Sequence, residues 1–152
     1  MNLESLQKQL ALEEGCPPRT YLDSKNILTG GIGHNLIDEP EPGFDRIGIL
    51  VPPEMVTKWF LKDIQDAIDD LDRELPWWRD ENDARQNALL NLVYNMGWAG
   101  LSTFKNTLLA FERGNFGLVA SGLRYSQYAK EVGPTRSGRV AKMIETGELP
   151  NL

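Results

Sequence analysis

Residues 13–36 read Glu13-Glu14-Gly15-Cys16-Pro17-Pro18-Arg19-Thr20-Tyr21-Leu22-Asp23-Ser24-Lys25-Asn26-Ile27-Leu28-Thr29-Gly30-Gly31-Ile32-Gly33-His34-Asn35-Leu36. Upstream, Leu3, Leu6 and Leu10 recur at helical spacing behind Asn2, a good N-cap, so a helix is expected over 3–13. Gly15 and the Pro17-Pro18 pair stop it. Glu14 therefore falls on the last helical turn, where the negative end of the helix dipole disfavours the ionised carboxylate, a setting that suits a proton donor. Arg19–Leu22 alternates like a strand, Asp23-Ser24-Lys25-Asn26 is turn chemistry, and Ile27-Leu28-Thr29 returns. A small antiparallel hairpin or three-stranded sheet is expected over 19–36. Glycines at 30, 31 and 33 suit bulges or close approach of a ligand.

Working outward, residues 37–52 are rich in proline, glycine and acid and read as a surface loop, with one more short strand at Ile47–Leu50. Pro53 opens a long helix to about Arg73, carried by Val56, Phe60, Ile64, Ala67, Ile68 and Leu71. Its acidic end (Asp66, Asp69, Asp70, Asp72, Glu74) calls for solvent or basic partners. Trp77 and Trp78 read as core anchors rather than sugar platforms. Further helices are expected over 83–96 ended by Gly97, over 104–113 capped by Ser102 or Thr103, over Phe116 to Tyr125, and near 135–145 ended by Gly147. The fold class is α+β, with a small N-terminal antiparallel sheet lobe and a larger helical lobe joined by a long helix. The expected division of residues 1–152 is a sheet-containing lobe at about 14–55, a connecting helix at about 53–73, and a helical lobe at 74–152 plus helix 3–13.

The composition narrows the chemistry. The net charge is -6, and nucleic acid is disfavoured by that balance and by the lack of a recognised binding motif. A cationic set in 105–142 (Lys105, Arg113, Arg124, Lys130, Arg136, Arg139, Lys142) offers a surface for an anionic polymer. No apolar run reaches a membrane span, and residues 1–5 lack the basic and apolar regions of a signal peptide, so synthesis in the cytoplasm is expected. The single cysteine excludes an internal disulfide, and Cys16 is expected as a partly buried thiol. With one histidine and no paired cysteines, neither a metal site nor a cofactor is expected. No Gly-x-Ser-x-Gly elbow supports a serine nucleophile. Two carboxyl groups and a hydroxyl across a helix end and a hairpin suit glycoside hydrolysis, one carboxyl protonating the leaving oxygen and the other handling water or attacking.

The stretch from Glu14-Gly15 through Tyr21-Leu22-Asp23 to Leu28-Thr29-Gly30-Gly31-Ile32-Gly33-His34-Asn35-Leu36 closely resembles the phage-type lysozymes, glycoside hydrolase family 24. The resemblance continues at Trp59–Asp63, Ala88–Gly97, Phe104–Leu108 and Pro134–Arg139. It implies a lysozyme-like fold and a muramidase, a hydrolase of the β-1,4 bond between N-acetylmuramic acid and N-acetylglucosamine in bacterial peptidoglycan. By that resemblance Glu14 is the general acid, and Asp23 and Thr29 activate or position water, usually with inversion. Asn35, Tyr94, Asn95 and Thr107 contact substrate, and His34 pairs structurally with Asp63. It further implies a likeness to monomeric endolysins of phage-driven host lysis, made in the host cytoplasm and reaching the wall through a holin. A virion-attached lysozyme and a non-catalytic peptidoglycan-binding module are the alternatives. Two departures stand out. Gly30 occupies a position that is usually aliphatic or aromatic and so softens the hairpin, and Gly122 or Ser121 stands where relatives often carry a substrate-contacting Asn.

Overall fold

A computed structural model of the chain describes all of residues 1–152. Helix α1 (Leu3–Glu14) is followed by strands β1 (Tyr21–Leu22), β2 (Leu28–Gly30) and β3 (His34–Asn35), then α2 (Pro53–Glu74), a 3-10 segment (Pro76–Asp80), α3 (Asp83–Leu101), α4 (Lys105–Glu112), α5 (Phe116–Arg124), α6 (Gln127–Val132) and α7 (Pro134–Thr146). This is the expected α+β, lysozyme-like class, mostly helix with one small antiparallel sheet. The chain forms two compact units, one of Gln7–Gln65 and one of Met1–Leu6 with Asp66–Leu152. No helix is long and apolar enough to cross a membrane.

The first unit is built on the sheet, in the order β1-β2-β3 with every pair antiparallel. Tyr21 pairs with Thr29 and Leu22 with Leu28; Thr29 pairs with Asn35 and Gly30 with His34. The strand expected at Ile47–Leu50 is reduced to one bridge, Arg19 to Leu50, with the Thr20 hydroxyl donating to the Arg46 carbonyl at 2.6 Å and accepting from Ile49 N at 2.9 Å. Leu28, Leu36, Val51 and Trp59 form the core of this unit, with Phe44, Met55 and Val56 against it. Trp59 is clamped: the His34 ring stacks on it at 4.9 Å and 11°, and Phe44 meets it edge-on at 5.1 Å. Cys16 is exposed, not partly buried as expected.

The second unit is helical. Ala84 and every residue from Gln86 to Val93 of α3 are buried, so this helix is a core element with no exposed face along 86–93, and its buried Gln86, Asn87 and Asn91 are hydrogen-bonded. Helix α7 packs on α3, α5 and α6. The N-terminus joins this unit through the Met1 ammonium, which donates to Asp83 and Gln86, and through a reciprocal pair between the Asn2 main chain and the Asn87 amide at 3.0 and 2.9 Å. Trp78 is fully buried, its indole N–H donating to Asp72 at 2.8 Å, while Arg79 grips the same carboxylate at 2.7 and 2.9 Å. The Arg79 hydrogen bonds, opposed by some desolvation and reinforced by the Trp78 bond and the Arg79 charge, lower the Asp72 pKa to about 2. The acidic end of α2 has thus found basic partners.

Several local expectations change. Gly97 breaks the helix as expected (φ 69°, ψ 169°), but the chain winds on to Leu101. Ser102 and Thr103 do not cap α4; their hydroxyls donate back to the Ala99 and Gly100 carbonyls at 2.8 and 2.7 Å, closing α3 instead. The 3-10 segment and α6 were unforeseen. Arg136, counted above as a surface cation, is buried and donates to Asn91 Oδ1 at 3.2 Å.

Candidate active site

Glu14 is the last residue of α1, and Gly15 leaves the helix at φ 79°. Its half-buried carboxyl lies against the backbone of Gly33: a Cβ built there would stand 3.7 Å from Glu14 Oε2. Gly33 itself has φ 67°, the left-handed region that favours glycine. The turn from β2 into β3 therefore runs directly beneath the α1 carboxylate.

Asp23 is held by the hairpin it helps to make. Its Oδ1 accepts from Lys25 N at 2.8 Å and Ile27 N at 2.9 Å, an Asx arrangement that fixes the carboxyl group and leaves Oδ2 for other partners. Thr29 is buried, and its hydroxyl donates to the Ile27 carbonyl at 2.8 Å. With its proton committed there, the Thr29 oxygen faces any further partner as an acceptor.

Strand register brings these groups together. Residues directly opposite in an antiparallel pair share a face, as do residues two apart on one strand. The pairing of Tyr21 with Thr29 and of Thr29 with Asn35 therefore places Tyr21, Thr29 and Asn35 in one row. Asp23 stands just past β1, where its main-chain N–H donates to the Ile27 carbonyl at 3.0 Å and so continues the pairing of the hairpin that carries Thr29. Tyr21 was not singled out from the sequence. Its phenol pKa is raised, first by burial and then by the negative charges of Glu14, Asp23 and Cys16, which marks it as the residue lying among both carboxylates. The signal was available in the Tyr21-x-Asp23 alternation once the register was known.

Asn35 is partly engaged. Its carbonyl oxygen accepts from Ile37 N and Asp38 N at 2.9 and 3.0 Å, and its amide donates to Asp38 at 3.1 Å. One amide hydrogen remains. His34 Nδ1 lies 2.8 Å from Asp63 Oδ2 on α2. Burial alone would lower the His34 pKa, but the Asp63 hydrogen bond and charge, with a main-chain hydrogen bond and charge from Glu39, outweigh it and raise the value above that of an ordinary histidine.

Gly30 does not soften the hairpin. It is buried, and a Cβ there would sit 2.8 Å from Trp59 Cζ3 and 3.4 Å from Leu36 Cδ1. Glycine is what lets β2 lie against the clamped indole. In the helical unit, half-buried Tyr94 and exposed Asn95 sit on α3 just before Gly97, and half-buried Thr107 sits on α4. Thr107 Oγ1 is 3.0 Å from the place a Cβ on Gly122 would take, so the small residue at 122 gives the hydroxyl its room. The first unit holds Glu14, Asp23, Thr29, His34, Asn35 and Asp63; Tyr94, Asn95 and Thr107 belong to the second.

The family described as Phage lysozyme matches residues 11–140. The chain is 26% identical over 163 residues to the pre-baseplate central spike protein Gp5 of Enterobacteria phage T4, an alignment covering 95% of this chain but 28% of that much longer protein. It is 29% identical to probable T4-type lysozyme 2 and 26% identical to probable T4-type lysozyme 1 of Dictyostelium discoideum, each covering 97% of both partners. A match across most of its length, on a mainly helical fold with one small antiparallel sheet, means that the chain belongs to the phage lysozyme family.

Proposed function

We propose that the chain is a muramidase that hydrolyses the β-1,4 bond between N-acetylmuramic acid and N-acetylglucosamine in bacterial peptidoglycan. The observation that carries this is one hairpin holding Asp23 at its turn and Thr29 on its returning strand, with Glu14 over the next turn. In this reading Glu14 gives its proton to the glycosidic oxygen as that bond breaks. A water donates one hydrogen to the Thr29 oxygen and the other to Asp23 Oδ2, which aims its lone pair at the anomeric carbon. Asp23 accepts the proton as the new C–O bond forms, and proton exchange with solvent resets both carboxyl groups. A water held in this way attacks opposite the leaving group, so the reaction inverts the anomeric configuration. Tyr21 shields the carboxylates, and Asn35, Tyr94, Asn95 and Thr107 contact the glycan. No metal or cofactor enters these steps.

The biological setting we propose is host lysis by a monomeric endolysin made in the host cytoplasm and admitted to the wall by a holin. Family membership supports it. The similarity to a phage spike protein favours one second reading, a lysozyme module carried on the virion. Immunodetection on purified virions separates the two: signal on the particle supports the second reading, and signal only in the lysate supports the first. For the chemistry, Glu14→Gln is expected to abolish clearing of purified cell walls while circular dichroism and melting temperature stay those of a folded protein. Undiminished clearing overturns the general-acid assignment, and a retained fold with wall binding but no cleavage in the unmodified protein identifies a binding module.

A further inference from the structure

Three ligand-bearing side chains from three pieces of chain meet beside the sheet: His34 of β3, Glu39 of the loop that follows it, and Asp63 of α2. One donor atom from each lies within 4.8 Å of the others. Only His34 and Asp63 were paired from the sequence, because Glu39 lay in a proline-rich acidic loop that read as solvated surface. We propose that these three residues form a binding site for zinc or a similar late first-row divalent cation.

The donor chemistry fits that class. One imidazole nitrogen and two carboxylate oxygens match the mixed sets that hold zinc, whereas calcium and magnesium take oxygen alone. A neutral imidazole and two carboxylates balance a double positive charge. In a tetrahedral site with donors about 2.0–2.2 Å from the ion, the donors stand about 3.3–3.6 Å apart. The His34 to Asp63 contact of 2.8 Å opens slightly to admit the ion, and Glu39 swings in. Glu39 is free to do so: it is half-buried in a loop, and Lys62 Nζ holds one of its oxygens at 3.3 Å, long for a charged hydrogen bond.

The histidine is prepared for ligation. It is 3% exposed, and its stacking on Trp59 fixes the ring plane. Binding releases the proton shared between His34 and Asp63 to solvent. The fourth position is left to water. An ion there ties the loop after β3 to both β3 and α2, and so braces the strand whose Asn35 pairs with Thr29.

His34 is the only histidine, so its imidazole signals in a proton–nitrogen spectrum are a single assignable set. The test uses the full chain, chelator-treated, in a Cys16→Ser background that removes the only thiol. Zinc chloride is expected to shift the His34 ring signals saturably at one ion per chain and to raise the melting temperature, while magnesium chloride at the same concentration does neither. Glu39→Gln, a near-isosteric change in a half-buried loop, is expected to weaken zinc binding at least tenfold with the fold retained. Ring signals that do not respond to zinc overturn the proposal, as does a response of equal affinity in the Glu39→Gln variant.

Discussion

Replacing Gly30 with alanine tests how the sheet is held in place. The added methyl would stand 2.8 Å from Trp59 Cζ3, where carbon atoms normally approach no closer than about 3.5 Å. The indole cannot give way freely, since His34 stacks on one side and Phe44 meets its edge. Overpacking of this kind costs about 1–3 kcal/mol. Against that, Gly30 does not have the positive φ that alanine resists, so alanine gains roughly 0.4–1 kcal/mol by restricting the unfolded chain. The balance is a destabilisation of about 0.5–2 kcal/mol, which at roughly 2–4 °C per kcal/mol for a chain of this size lowers the melting temperature by about 1–8 °C. Thermal and urea unfolding followed by circular dichroism measure it. A double-mutant cycle with Trp59→Phe identifies the cause, because phenylalanine lacks the benzo atoms that clash. Trp59→Phe also removes a buried indole N–H that has no hydrogen-bond partner, which limits its own cost. A favourable coupling of at least about 0.5 kcal/mol is expected between the two changes. An alanine variant as stable as the parent, or a cycle with no coupling, refutes the reasoning.

Asp23 separates structure from chemistry. Asp23→Asn keeps an oxygen for the Lys25 and Ile27 amides, so stability should stay within about 0.5 kcal/mol while cell-wall hydrolysis falls at least about a hundredfold; Asp23→Ala should lose the same activity and about 1 kcal/mol more stability, measured by urea unfolding. The His34–Asp63 pair gives a pH signature when a chelator keeps metal out. Because the folded histidine has a raised pKa, its contribution is complete below the unfolded value and is lost as pH rises through the folded value. The stability gap between the parent and Asp63→Asn should therefore be larger at about pH 5.5 than at about pH 9, and a gap independent of pH counts against the pair.

The parts of the fold legible in the sequence are those governed by local rules. The apolar spacing from Val56 to Leu71 located α2 within a residue at its C-terminal end, and Asn2, Gly15, Gly97 and Gly147 marked helix boundaries through capping or left-handed backbone. What escaped depends on tertiary context. Helix α6 has six residues, too few for a periodic signal. Ser102 and Thr103 are equally good at closing one helix or opening the next, and only the chain path decides. Arg136 counts as a surface charge until α7 turns it towards Asn91. In the candidate site, the spacing of Glu14, Asp23 and Thr29 was visible in the chain. The place of Tyr21 depended on strand register, the reason for Gly30 lay far along the chain at Trp59, and Glu39 joined His34 and Asp63 only through the path of its loop.

The central claim is that Glu14 donates a proton while Asp23 and Thr29 direct water at the anomeric carbon from the opposite side. The anomeric form of the first product tests it most directly, read by proton NMR on a defined cell-wall glycan before mutarotation. Cleavage of the β-linked chain should release the α anomer first, and Glu14→Gln should release none. A β anomer appearing first, or cleavage that persists in the variant, contradicts the account.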